Sequence, residues 1–307
     1  MRGREKGSKM KTRAAWKSWL GLGLVAVLAA LVSIRLFASA PVTASEYGTL
    51  KATVLKVGKA DAIVVETPYQ TMVIDAGEED DGLELVSYLM NRGIRKVDVL
   101  VITHYDKDHV GGADTLVEKM PVDRVLVPDY ESSSTEYADF VAALDAAGIV
   151  PEKLRESVSF TLGDAEVLVE PPLDYSILEL AKAQTHQIPE VDNDLSLITT
   201  IEHGSNRLVF MGDAEKMRLR EWLATSSAVS CDFVKLPHHG VFNSELENMT
   251  IQLLPRYVAV CDSAKNPAEA MTIDLLKKHN ANVLQTKDGD ITVISNGKLV
   301  EVSQKGQ

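Results

Sequence analysis

The sequence predicts an α/β protein built as a sheet sandwich flanked by helices. Three short β-rich runs come in succession at the start of the folded part, a nearly continuous apolar strand follows, and strands then alternate with helices. A doubly wound single sheet would alternate from the first strand onward.

The elements follow in order. Leu50–Val57, Ala62–Glu66 and Thr71–Ile74 are rich in β-branched residues and are joined at Gly58 and at Pro68-Tyr69-Gln70. Leu83–Asn91 has helical spacing and stops at Gly93, a suitable C-terminal cap. Val97–Thr103 is apolar at both alternating sets of positions, as in a strand buried on both faces. Helices are expected over Ala113–Lys119 and Glu136–Ala147, the second stopped by Gly148. Later strands are Leu195–Ile201, Arg207–Met211, Phe233–Leu236, Tyr257–Val260, Val283–Gln285 and Ile291–Ile294, with helices at Glu215–Ala224 and Ala268–Lys278 between them. Leu173–Val191 has no clear period and reads as a loop or lid with a short helix.

Ahead of this part lies a leader. Of 307 residues, the first seventeen carry seven basic side chains against Glu5, a net +6, so the rest must sum to −18 to reach the total of −12. Trp19–Ile34 then runs without a charge. A basic segment before an apolar run keeps the N-terminus inside and sends the remainder across the membrane. The run is longer than a signal peptide requires, and Pro41 spoils the nearer cleavage site at Ala38-Ser39-Ala40. An exported protein is therefore expected, with 1–45 as leader and 46–307 as one domain. A single-pass anchor is favoured over cleavage at Val42-Thr43-Ala44. A domain this acidic is a poor general binder of nucleic acid. Two cysteines exclude a disulfide framework; Cys231 begins one strand and Cys261 ends another, so both are expected as unpaired thiols.

The strongest chemical signal is Thr103-His104-Tyr105-Asp106-Lys107-Asp108-His109, directly after the buried strand and before Gly111-Gly112. Two imidazoles and two carboxylates within six residues at a strand end form a metal-ligand cluster. His104 and Asp106 can face one point and the adjacent Asp108 and His109 a second, so two cations could share a bridging hydroxide. The bland reading, a solvated polar turn, leaves unexplained why two of only seven histidines sit here.

His104-x-Asp106-x-Asp108-His109 resembles the metal motif of the metallo-β-lactamase fold, in the variant with Asp for the second His. With Gly111-Gly112 it is similar to the hydrolase-like domain of the ComEC/Rec2 DNA-uptake proteins and their stand-alone relatives. Val57-Gly58-Lys59-Ala60-Asp61-Ala62, Ile74-Asp75-Ala76-Gly77, Asn193-x-x-Ser196-Leu197, Met211-Gly212-Asp213-Ala214 and Leu236-Pro237-His238-His239-Gly240 follow that family's order from about residue 50 to 302. The resemblance implies a four-layered αββα sandwich holding two divalent cations, Zn²⁺ first and Mn²⁺ as the alternative. It places His104 and Asp106 on the first metal, Asp108 and His109 on the second, Asp213 between them, and the His238-His239 pair completing the second site. Asn193 stands where other members have a third His, and Asp75 is expected to orient a ligand from behind. Ala60, Val241 and the His-less Ala264-Lys265-Asn266-Pro267 loop depart from the family pattern.

Asp213 also reads as a helix N-cap, and Asp61 as a residue that fixes a turn. Adjacent histidines diverge in an extended turn, so either His238 or His239 could ligate while the other protonates a leaving group. His186, His203 and His279 have no motif context. The expected function is an extracytoplasmic hydrolase that attacks a phosphodiester, in nucleic acid or a cell-wall polymer, through a metal-bridged hydroxide held by Asp108 and Asp213. An amide or lactam hydrolase and a metal-stabilised, non-catalytic binding module are the alternatives.

Overall fold

Strands buried on both faces decide the architecture. The computed structural model describes residues 47–175, 191–225 and 227–305. These belong to one compact unit, Ser45–Gln307. The strands of the first half are β1 (Leu50–Val54), β2 (Ala62–Glu66), β3 (Thr71–Ala76), β4 (Val99–Val101), β5 (Val125–Pro128), β6 (Glu152–Leu154), β7 (Val158–Leu162) and β8 (Ala165–Glu170). Those of the second are β9 (Ile198–His203), β10 (Asn206–Phe210), β11 (Phe233–Lys235), β12 (Tyr257–Val260), β13 (Asn282–Gln285), β14 (Ile291–Ser295) and β15 (Val300–Gln304). In β2, Ile63 and Val65 enter one core while Ala62 and Val64 enter another, and in β10 Leu208 and Phe210 part from Val209 in the same way. Side chains of period two that are apolar on both faces require a covering layer on each side.

Two sheets result, in the orders β15-β14-β1-β2-β3-β4-β5-β6 and β13-β12-β11-β10-β9-β8-β7. Their facing surfaces share a core that includes Ile63, Met72, Val101, Val167, Leu208, Phe210 and Phe233. The outer face of the first sheet packs under α1 (Gly82–Asn91), the single turn α2 (Lys107–Val110), α3 (Ala113–Lys119) and α4 (Thr135–Ala147). The outer face of the second packs under α5 (Lys216–Leu223), α6 (Glu245–Leu253) and α7 (Ala270–Lys278), where Trp222 is fully buried. The layers are helix, sheet, sheet, helix.

Seven of these elements are not among those expected from the sequence: β5, β6, β7, β8, β15, α2 and α6. β6 is only three residues long, and β5 ends in Pro128. In α6 the buried residues Leu246, Met249, Thr250 and Leu253 keep helical spacing, but Asn248 and Thr250 weaken its propensity. The leader 1–45 and most of the Leu173–Val191 stretch lie outside the described residues. Among the described residues no helix is long and apolar enough to cross a membrane.

Strands β3 to β6 run parallel to one another, as do β10 to β13. Asp75 lies at the carboxyl end of β3, and the segments carrying His104, Asp213, His239 and Cys261 leave the carboxyl ends of β4, β10, β11 and β12. Loops at such ends are where α/β sheets bind ligands.

A candidate metal centre at the strand ends

Thr103 carries the chain out of β4, and its backbone N–H and hydroxyl both donate to the buried Asp75 carboxylate at 2.7 Å. Asp75 also accepts from His109 Nδ1 at 2.8 Å. Because the Thr103 hydroxyl is spent on Asp75, its lone pairs face His104 Nδ1 at 3.1 Å. His239 Nδ1 donates to the Cys261 carbonyl at 3.1 Å. All three rings therefore carry a hydrogen on Nδ1, so that in the neutral ring the lone pair is at Nε2. The Nε2 atoms of His104, His109 and His239 are buried without a hydrogen-bond partner, as is an oxygen of Asn193. Three histidines prepared in this way are fitted to hold a cation.

Asp213 is the meeting point. Its Oδ1 lies 3.2 Å from His109 Nε2 and its Oδ2 3.1 Å from His239 Nε2. One ligand atom each from Asp61, His109, Asp213 and His239, all buried, lie within 4.8 Å of one another. Asp108 adds Oδ2 at 3.3 Å from His239 Nε2 and is partly exposed at the mouth. The geometry does not make Asp213 a cap for α5. The N-cap is Glu215, without a side-chain capping bond, and the Arg218 N–H in the first turn is met by Asp194 at 2.9 Å. Ser196 Oγ accepts from the Asp213 backbone N–H at 3.2 Å, which gives the Asn193-x-x-Ser196-Leu197 element a physical role.

The turn that presents His239 is strained. His238 and His239 have φ of 46° and 51°, left-handed values that each cost about 1–2 kcal/mol for a residue with a Cβ. Such strain is found where function dictates the backbone. It splits the pair. His239 enters the cluster, whereas His238 stands apart on the rim, with Nδ1 2.8 Å from Glu215 Oε1. The two rings lie 6.3 Å apart, and among the described residues His239 rather than His238 belongs to the buried group around Asp213.

The first site is looser. His104 is buried, with its ring 4.1 Å from that of His109, while Asp106 is half-buried and its Oδ2 lies 3.6 Å from His104 Nε2. Asn193 is buried near the start of the segment whose Leu197 N–H bonds the Thr103 carbonyl at 2.9 Å. Asp192 joins this side: burial and Asp106 push its carboxyl above the ordinary value, while His104 draws it down.

Electrostatics bind the centre together. Burial opposes a charge on His109, but Asp213, Asp75 and Asp61 outweigh it and hold the imidazole well above its usual range. The same balance, with burial opposed by Asp213 and Asp108, raises His239 to about 9. Burial pushes the Asp213 carboxyl up, yet His239, His109 and Lys235 hold it well below the ordinary carboxylate range. Lys235 was not singled out from the sequence, and neither were Asp61 or Asp192 as neighbours of a metal. The signal for Lys235 is a lone charge in the apolar run Phe233–Leu236, at the position that shares a face with Phe233. Of the other histidines, His203 is buried beside Ser295 at 2.7 Å, and His186 lies outside the described residues. Cys231 and Cys261 are separate buried thiols.

With this geometry in view, the profile described as Metallo-beta-lactamase superfamily matches residues 55–257. The chain belongs to the metallo-beta-lactamase superfamily. Among curated proteins it is similar to ComE operon protein 3 of Bacillus subtilis, 25% identical over 260 residues, which cover 76% of this chain and 31% of that protein. It is also similar to Recombination protein 2 of Haemophilus influenzae, 23% identical over 218 residues, covering 69% and 24%. The chain thus spans about a third or less of the curated relatives it matches. Solved structures share the fold. Tm1679, titled a metal-dependent hydrolase of the beta-lactamase superfamily, aligns with a TM-score of 0.52 at 12% identity, over 83% of this chain and all of that one. YhfI, a metallo-beta-lactamase fold protein from Bacillus subtilis, aligns at 0.51 with 11% identity over the same shares.

Proposed function

We propose that this protein is a metal-dependent phosphodiester hydrolase working outside the cytoplasmic membrane. The observation that carries the reading is the donor set. Carboxylates of Asp106, Asp108 and Asp213 stand beside three imidazoles prepared at Nε2, and oxygen-rich sets suit hard cations and the phosphoryl oxygens they stabilise. His109, His239 and Asp213, with Asp108 at the mouth, would hold one divalent cation, Zn²⁺ or Mn²⁺. His104, Asp106 and Asn193 would hold a second more weakly. Cations bound there supply Lewis acidity toward a phosphoryl oxygen and make water acidic enough to serve as nucleophile near neutral pH.

The chain's own residues do the rest. Asp75 and the Cys261 carbonyl fix the ring orientations of His109 and His239. His238, oriented by Glu215, stands at the rim where a leaving group would collect a proton. Export rests on the basic leader and its apolar run, and nucleic acid or a wall polymer is the substrate class. The −18 carried beyond residue 17 keeps metal-independent affinity for bulk duplex DNA low.

The test is to strip the purified protein with EDTA, restore Mn²⁺ or Zn²⁺, and offer bis(p-nitrophenyl) phosphate beside a chromogenic β-lactam. The diester should turn over and the lactam should not. Turnover of the lactam alone would move the reading to the amide class. Metal uptake without turnover of either would favour a binding module.

A further inference from the structure

At the deepest point of the centre lies a charge that metal chemistry does not require. Lys235 is fully buried on β11, facing the space between the sheets, and its Nζ forms an ion pair with the fully buried Asp61. The same ammonium lies 3.6 Å from Asp213 Oδ1 and donates to the Gly212 carbonyl at 3.0 Å. It therefore sits where a cation joining Asp61 to Asp213 would sit.

The side from which Asp61 approaches is equally telling. Its oxygens lie 3.7 Å from His239 Nδ1 and 3.9 Å from His109 Nδ1. Those nitrogens carry the hydrogens given to the Cys261 carbonyl and to Asp75. The lone pairs on Nε2 point the other way, toward Asp213. Asp61 thus stands behind the two rings, while Asp213 and Asp108 stand in front. Its backbone N–H, bonded to the Asp108 carbonyl at 3.0 Å, ties this rear layer to the ligand loop.

We infer that Lys235 is a built-in cation of the centre, a positioning residue that claims Asp61 as its counter-ion, keeps it out of the ligand set, and holds the Gly212–Asp213 turn. The ligands are then His109, His239, Asp213 and Asp108. This rests on the metal-centre reading above. An unpaired buried ammonium or carboxylate is strongly unfavourable, so each member of the pair accounts for the burial of the other.

The test uses Asp61→Asn, Lys235→Met and the double variant, with Asp213→Asn as control. Zn²⁺ stoichiometry of the EDTA-stripped protein is measured by calorimetric titration, and thermal unfolding is followed in EDTA. Asp61→Asn should keep the wild-type number of ions per chain, and Asp213→Asn should lose one. Lys235→Met should lower the metal-free Tm by about 10 °C, and adding Asp61→Asn should restore more than half of that fall. Should Asp61→Asn not fold, the double variant carries the titration. Loss of an ion when Asp61 is changed would overturn the inference, as would a double variant no more stable than Lys235→Met. A folded wild type that binds no Zn²⁺ would instead remove the metal-centre reading, and the Tm comparison would still judge the pair.

Discussion

His109 hands its Nδ1 hydrogen to Asp75 across 2.8 Å, and Asp75 holds the backbone and hydroxyl of Thr103 with the same carboxylate. One buried acid therefore sets both the tautomer of a ligand and the exit of its loop from β4. Asp75 does so from a left-handed conformation, φ 58°, which Asn tolerates and a β-branched residue does not. Asp75→Asn keeps the backbone and removes the charge that fixes His109. Affinity for the tighter-bound cation should fall by about 10–100-fold, read by Zn²⁺ titration with the fold checked by circular dichroism. Unchanged affinity would show that His109 needs no such anchor.

The ligand loop reaches its place only by close backbone contact. A Cβ on Gly112 would lie 2.4 Å from the Ala76 carbonyl oxygen and 2.7 Å from Gly82 Cα. Gly112→Ala should cost about 1–3 kcal/mol. At roughly 2–4 °C per kcal/mol for a domain of this size, differential scanning calorimetry would register it plainly. An unshifted Tm would mean that the loop has room the structure denies it.

The metal-free and metal-bound proteins should respond oppositely to pH. Without metal, His239 is held protonated up to about 9, above its ordinary 6.5, by Asp213 and Asp108. A raised folded-state pKa gives stability that is full below about 6.5 and is lost as pH climbs through about 9. In EDTA, the Tm should therefore fall between these values. A cation must displace the same proton, so Zn²⁺ affinity should rise over that interval. Metal-free stability that climbs from pH 6.5 to 9 would contradict the charge arrangement at Asp213.

The two halves of the centre should fill unequally. His104 has one half-buried carboxylate partner, Asp106, and the buried amide of Asn193, whereas His109 and His239 converge on Asp213. A titration with Mn²⁺ should show a tight step and a weaker one, and His104→Ala should remove only the weaker. Loss of both steps in that variant would make the sites interdependent.

The sandwich and the ligand loop were legible because both rest on local pattern. Val97–Thr103 is apolar on both faces, and His104, Asp106, Asp108 and His109 follow within a few residues. What the sequence could not convey is which residues meet after folding. Asp61 and Lys235 are 174 positions apart in the chain and touch only because β2 and β11 belong to facing sheets. The His238-His239 choice was closed to sequence reading for another reason. Two consecutive left-handed residues reverse the expectation for an extended turn, and no local propensity announces them. Strands β7 and β8 do carry a period of two, with half-buried Val158 and Phe160 and buried Leu162 alternating with exposed Ser159 and Thr161, but the alternation is short.

The proposed centre depends on buried imidazole nitrogens and Asp213 converging to hold a cation. Its most direct measurement is the count of Zn²⁺ or Mn²⁺ bound per chain by EDTA-stripped, folded protein, comparing wild type with Asp213→Asn. The account predicts saturable binding of at least one ion by the wild type, with at least one fewer in the variant. A folded wild type that takes up neither cation would contradict it.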